Sequence, residues 1–308
     1  MPDSLPPDSI QMIAADLDGT LLSPHGQLSE RMLAALRAVE AARIPIVFAT
    51  GRRQSFAMQV LSSVGLSAYT VLITSNGAVT RTLDGALIER HLLPAETAQQ
   101  LCGQLAEFRD ALLFTFDRVG PGAMVVEQLT TLHRSIAKWV EMNAHEIALV
   151  TPLEDAFAAG ESPVQGMICG TLERMEAAQA VLNSDSAHGL RDLISVHRTE
   201  YAVRDLSIVD LLPAECSKGR ALARVATSLG IPAAQVLAIG DNMNDAEMLA
   251  WSGHPVVMAN AAAELCELAK AKGWRFAASN EIDGAALVME AVLAGSFSRQ
   301  NSPSFVID

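Results

Sequence analysis

Met12-Ile13-Ala14-Ala15-Asp16-Leu17-Asp18-Gly19-Thr20 is the stretch on which the reading of this chain turns. Four apolar residues run without a polar break and stop at a carboxylate. A short unbroken apolar run suits a strand covered on both faces, as in parallel sheets flanked by helices. Two carboxylates separated by one residue then follow directly past the strand end. Unpaired they would repel, and a hard cation with oxygen ligands, such as magnesium, removes that repulsion. The plainer alternative is a solvated aspartate-rich turn in which Gly19 supplies the backbone geometry.

The same grammar repeats downstream. Ser29 reads as the N-cap of a helix to Ala42, with Met32, Leu33, Leu36 and Val39 on one face. Residues 44–49 form a second buried strand that ends at Thr50-Gly51-Arg52. A helix over 55–64 leads to a third strand, 69–74, ending at Ser75-Asn76-Gly77. Alternating strands and helices predict a parallel sheet with right-handed crossovers. The pattern returns late in the chain, with a helix over 218–229, a strand over 236–239 ending at Gly240-Asp241, a helix from Ala246, and a strand over 255–258.

Between these halves the alternation weakens. Strands are predicted at 112–116, 124–128, 164–169, 193–197 and 207–211, and helices at 96–109, 132–143 and 172–183. Polar residues interleave, which predicts an α+β unit whose sheet is open on one side. The expected organisation is a parallel-sheet α/β domain of residues 1–83 plus 213–308, with an inserted α+β domain over 84–212. The residues from about Phe297 onward are serine-rich and read as frayed.

Composition narrows the function classes. Half of the 308 residues are hydrophobic and only 5% aromatic, so the core is aliphatic. The net charge of −13 argues against binding a nucleic-acid backbone or an anionic membrane. No uncharged apolar run approaches a membrane span. Cys102, Cys169, Cys216 and Cys266 form no Cys-x-x-Cys pair and read as reduced thiols. Residues 1–9 are polar and proline-rich, without the basic-then-apolar order of a secretory leader. A cytoplasmic protein is the expectation.

In an open parallel sheet, ligands bind outside the carboxyl ends of the strands. Asp16, Asp18, Thr50 and Asp241 should therefore gather at one edge. The hydroxyl and amides of Thr50-Gly51-Arg52 can hold a phosphate oxygen or simply cap a helix. Lys218 opens a helix, the wrong sign for the helix dipole, which suggests carboxylate or phosphate partners; alone it would read as a surface lysine. In Gly240-Asp241-Asn242-Met243-Asn244-Asp245, Asp241 should face the first-strand carboxylates. Asp245 suits either an N-cap or a support for Asp241 or Lys218.

Taken in order, Asp16-Leu17-Asp18-Gly19-Thr20-Leu21-Leu22, Ala49-Thr50-Gly51-Arg52, Ser217-Lys218-Gly219 and Gly240–Asp245 resemble the motifs of the haloacid dehalogenase-like hydrolase superfamily. The likeness is greatest to its Cof-type phosphatases, whose large α+β cap lies between the second and third motifs. Ser75-Asn76-Gly77-Ala78 and Ser279-Asn280-Glu281-Ile282-Asp283-Gly284 resemble that subfamily as well. The resemblance implies a Rossmann-like core with an inserted cap, and a magnesium-dependent phosphatase acting on small phosphorylated metabolites such as sugar phosphates. It implies Asp16 as nucleophile and Asp18 as acid–base residue. Leu17, Thr50, Gly51, Lys218 and Asn244 would receive the phosphate. Asp16, the backbone carbonyl of Asp18, and Asp241 would hold Mg²⁺, with Asp245 supporting the metal side. A phosphomutase or a non-catalytic phosphometabolite-binding protein on the same core are the alternatives; the presence of Asp16, Asp18, Lys218 and Asp241 together favours hydrolysis over mere binding. Arg90, His91, Arg118, His133, Arg134, Arg174 and His197 are the polar candidates of the insert for meeting the leaving group.

Overall fold

The structure, a computed structural model, describes residues 9–129 and 134–297. Its strands in chain order are β1 (Met12–Ala15), β2 (Ile46–Ala49), β3 (Val71–Thr74), β4 (Val79–Thr82), β5 (Leu87–Arg90), β6 (Leu112–Thr115) and β7 (Met124–Val126). They continue as β8 (Ile147–Leu149), β9 (Gln165–Gly170), β10 (Ile194–Tyr201), β11 (Leu206–Pro213), β12 (Val236–Gly240), β13 (His254–Met258) and β14 (Arg275–Ala277). The chain folds as two compact units. One comprises the residues up to Glu89 and from Ser217 onward, and the other is Arg90–Cys216.

The first unit is built on a sheet of order β14-β13-β12-β1-β2-β3-β4-β5. The six strands from β14 to β3 run parallel, with Ile13 opposite Ile46 and Met12 opposite Val236. Side chains alternate between the two faces. Ile13 and Ala15 pack with Met32, Leu36 and Met289 on one side, while Met12 and Ala14 pack with Leu222, Val225 and Met248 on the other. Both faces are dry, which is why the strands read as unbroken apolar runs.

Three local expectations change. The second and third strands begin at Ile46 and Val71 rather than at 44 and 69. A hairpin, unread in the sequence, extends the sheet: β4 runs antiparallel to β3, with Val71 opposite Thr82, and β5 adds the edge. The first unit therefore continues through Glu89, past the 83/84 boundary, and the second runs through Cys216, past 212. Phe297 is not frayed. Its amide donates to the Ala291 carbonyl (3.1 Å), and the Arg275 guanidinium lies 4.4 Å from its ring centre, because the aromatic ring finds an apolar flank to cover. The residues after it lie outside the described ones.

The second unit has a sheet of order β10-β11-β9-β6-β7-β8, antiparallel except for β7 with β8. Helices Ala95–Gln104 and Leu172–Leu182 pack with Phe114, Ile168, Val209 and Leu211 on one face. The opposite face carries Thr115, Gln165, His197 and Asp210, by register. The helix expected to reach Arg109 ends at Gln104. A 3₁₀ segment, Ala106–Ala111, takes over and turns Phe108 into the core. The helix expected over 132–143 is Ala137–Asn143; Leu132 and His133 lie outside the described residues. Arg90 pairs with Asp117, Arg118 with Glu161 and Arg174 with Asp110, so these three arginines serve ion pairs within the unit.

Candidate active site

The carboxyl ends of β12, β1 and β2 lie side by side, and each hands over to a turn bearing polar residues. The Asp16 amide still belongs to the ladder, donating to the Ile239 carbonyl (3.1 Å). Beyond it the chain turns sharply. Asp18 (φ −78°, ψ 119°) and Gly19 (φ 80°, ψ −6°) have the dihedrals of the two central residues of a type II turn, whose second position requires positive φ. Gly19 is doubly constrained, since a Cβ there would lie 2.2 Å from the Asp241 carboxylate. The motif thus needs glycine for conformation and for contact.

Lys218 begins helix Lys218–Ser228, yet it is only 1% exposed. The helix start is capped by Ser217, whose Oγ accepts from the Arg220 amide, so the lysine is free for other work. Its Nζ donates to Asp16 Oδ1 (2.8 Å) and to Asp245 Oδ1 (2.7 Å). Gly77, at φ 103°, lets the turn after β3 approach this helix start; a Cβ there would lie 2.2 Å from the Ser217 carbonyl.

Asp245 answers both of its readings. It is the third helical residue of a capping box with Asn242, and its Oδ2 accepts from the amides of Asp241 (3.0 Å) and Asn242 (3.1 Å). Its other oxygen holds Lys218. Asn242 caps the turn Met243–Asp245, its Oδ1 accepting from the Met243 amide (2.9 Å), while Asp245 stands at the N-cap position of helix Ala246–Trp251 without a side-chain capping bond to that helix.

Asp241 Oδ1 accepts from Thr20 Oγ1 (2.7 Å), a buried bond across 221 positions of sequence. Asp16, Asp241 and Asp245 each present a carboxylate oxygen within 4.8 Å of the others, and all three are buried. Burial pushes Asp16 up to about 7; Lys218 opposes this, while Asp245 and Asp18 add to it. Asp241 is also raised well above the carboxylate range, by burial first and then by Asp16 and Asp245. Burial alone would lower Lys218, but the two aspartates outweigh it and hold the ammonium above its ordinary range. Three buried carboxylates facing one ammonium form a hard oxygen site suited to a divalent cation. Since both oxygens of Asp245 are committed, Asp16 and Asp241 are the residues with oxygens to offer.

Asp18 lies on the open side. Arg52 grips it at both oxygens, Nε to Oδ2 at 2.7 Å and Nη2 to Oδ1 at 2.6 Å. Thr50 is fully buried, and its Oγ1 accepts from the Arg52 amide (3.1 Å). Gly51 backs onto the Asn76 side chain. Asn244 Nδ2 donates to Asn76 Oδ1 (3.0 Å), while Asn244 Oδ1 is buried without a partner among the described residues. Leu17 is buried within the turn, its carbonyl accepting from the Leu22 amide (2.9 Å). The side chains of Arg52, Thr20 and Asn76 contribute contacts that the sequence did not suggest, although all three residues lie in the polar stretches after strand ends; a charged, hydroxyl or amide side chain at such a place was the available signal.

The family model of haloacid dehalogenase-like hydrolases matches residues 13–289. HMP-PP phosphatase of Serratia proteamaculans (strain 568) is 30% identical over 267 residues, covering 84% of this chain and 87% of the relative. HMP-PP phosphatase of Escherichia coli O157:H7 is 29% identical over 256 residues, covering 83% and 86%. Among solved structures, a haloacid dehalogenase-like hydrolase from B. subtilis superposes with a TM-score of 0.74 at 24% identity, covering 91% of this chain and 99% of that one. A phosphatase of the haloalkanoate (HAD) superfamily from Bacteroides thetaiotaomicron gives 0.72 at 23% identity, covering 95% and 99%. These two likenesses bear on the fold. No helix among the described residues is long and apolar enough to cross a membrane.

Proposed function

The chain belongs to the haloacid dehalogenase-like hydrolases, and from that premise we propose that it is a magnesium-dependent phosphatase working through a phosphorylated Asp16. The observation that carries this reading is the placement of Asp16: buried at the end of β1, gripped by Lys218, with Asp241 beside it. An aspartate so held is oriented for attack, and its lysine partner opposes the burial that raises its pKa. A carboxylate nucleophile divides one difficult hydrolysis into two easier transfers.

An Asp16 oxygen attacks phosphorus while the bond to the leaving oxygen breaks, and Asp18 supplies that oxygen with a proton. Asp18 then takes a proton from water, whose oxygen attacks phosphorus and returns Asp16 as carboxylate with release of inorganic phosphate. For the first step Asp18 must part from Arg52, which occupies both of its oxygens. Lys218 offsets charge on Asp16 and on the transferring group. Thr50, Gly51, the Leu17 backbone and Asn244 complete the phosphate cradle. Asp16, Asp241 and the Asp18 carbonyl would hold magnesium, which when bound supplies the positive charge that three carboxylates and a phosphate require.

We assign the substrate to small phosphorylated metabolites. The names of the relatives favour HMP-PP, and the resemblance noted above favours sugar phosphates. The test is phosphate release from HMP-PP, sugar phosphates, pyridoxal phosphate and flavin mononucleotide, with Mg²⁺ or EDTA. Release that needs Mg²⁺ and falls on the order of 10³-fold or more in Asp16→Asn supports the mechanism and ranks the substrates. Release that survives Asp16→Asn would end the assignment of Asp16.

A further inference from the structure

The late stretch Ser279-Asn280-Glu281-Ile282-Asp283-Gly284 has no part in the chemistry above, yet it is tied to the turn that carries Asp18. Asn280 Nδ2 donates to the Leu22 carbonyl (2.8 Å), a buried bond. The Asn280 amide donates to Asn260 Oδ1 (2.8 Å), and Asn260 Nδ2 donates to the Gly19 carbonyl (2.7 Å). Ser29 Oγ, at the start of helix Glu30–Ala41, donates to Asp283 Oδ1 (2.6 Å). The turn bearing Asn260 also reaches the neighbouring strand end, where the Ala262 amide donates to the Asp241 carbonyl (2.9 Å).

The connections have a direction. A backbone amide can only donate, so Asn280 N–H fixes which end of the Asn260 carboxamide is oxygen and turns the nitrogen toward Gly19. The carbonyl so held belongs to the peptide joining Gly19 to Thr20. Rotation of that peptide would swing Thr20 Oγ1 from Asp241 Oδ1 and undo the type II geometry at Asp18 and Gly19. A short backbone bend of this kind keeps one geometry where the surrounding structure fixes it. Here its far side is fastened at Gly19 and again at Leu22.

We propose that Asn260, oriented by Asn280, is a positioning residue that holds the Asp16–Leu22 turn so that Asp18 and Thr20 stand in register with Asp241. The proposal rests on the reading of Asp18 as the acid–base residue. It predicts an effect on the chemical step, because Asn260 acts through the turn's backbone.

Asn260 is exposed, so its variants can be made without emptying the core. Asn260→Asp keeps the acceptor for Asn280 N–H but sets a carboxylate oxygen against the Gly19 carbonyl; Asn260→Ala removes both bonds. The expected result, with the best substrate and saturating Mg²⁺, is a fall in kcat of about 10- to 100-fold in both variants. KM should stay within about twofold, as when an interaction made only in the transition state is lost. Amide hydrogen exchange measured by mass spectrometry should accelerate in the 16–22 peptide and stay unchanged in the 236–240 strand. Unchanged kcat with unchanged exchange overturns the proposal. So does a lowered melting temperature with kcat per folded molecule intact, which is what a merely structural bond would give. Exchange needs no turnover, so it separates this proposal from the catalytic reading, which Asp16→Asn tests alone.

Discussion

Asp16 and Asp18 differ by two positions in sequence and by nearly everything else. Asp16 is buried against a buried lysine, with two further carboxylates behind it. Asp18 keeps 38% of its side chain exposed and is gripped by an arginine that is itself 25% exposed. One residue type is thereby placed in two environments, which fit the two roles proposed for it. Burial and a fixed ammonium suit a group that must stay in place and react; an exposed, exchangeable partner suits one that must move a proton. The chain's exit from β1 into the type II turn that has Asp18 as its first central residue makes the division, sending two acidic residues separated by one position to a dry side and a wet side of the same strand end.

The contrast can be broken most directly at Lys218. Lys218→Ala leaves Asp16 and Asp245 buried without their cation, and removing one partner of such a network costs about 3–5 kcal/mol. Urea unfolding should show that loss, and turnover should collapse even at saturating magnesium. A variant with near-normal midpoint and turnover would mean that the buried side is no more demanding than the wet one.

Asp241→Asn sharpens the account of the dry side. The group's folded pKa is raised above its unfolded value, so burying it costs stability at any pH above the ordinary carboxylate range. That cost shrinks as the pH falls through the raised value and is absent below the ordinary carboxylate range. Asn preserves the bond from Thr20 Oγ1. In EDTA at pH 8 the variant should melt higher than wild type, by roughly 2–4 °C for each kcal/mol relieved, and the difference should vanish toward pH 4. Magnesium at about 100 times its Kd should stabilise wild type by about 2.7 kcal/mol and the variant far less. Equal magnesium shifts would remove Asp241 from the metal site.

The smallest effect belongs to the wet side. Arg52→Ala opens a pair that solvent already screens, so stability should move by under about 1 kcal/mol by urea unfolding. A loss as large as that of Lys218→Ala would erase the contrast.

Much of the first unit was legible because β1, β2, β3, β12 and β13 are covered on both faces. That demand produces apolar runs with polar stops, and the stops are where Asp16, Thr50 and Asp241 stand. The hairpin of β4 and β5 escaped notice because an edge strand with Leu87 and Ile88 exposed has no period to betray it. In the second unit, one face of the sheet packs helices and the other bears Gln165 and Asp210 hydrogen-bonded to each other, so strand ends blurred. Lys218 shows a different limit: nothing local distinguishes a buried lysine at a helix start from a surface one.

Residue order alone therefore carried the α/β grammar and the polar residues at the strand ends, since burial and backbone geometry leave a local signature. Partnership leaves none. That Thr20 meets Asp241, that Arg52 grips Asp18 and that Asn260 holds Gly19 follows from which strands lie adjacent and how each turn closes. Such contacts span from tens to more than two hundred positions. A hydrogen bond depends on tenths of an ångström, which only the packed fold supplies.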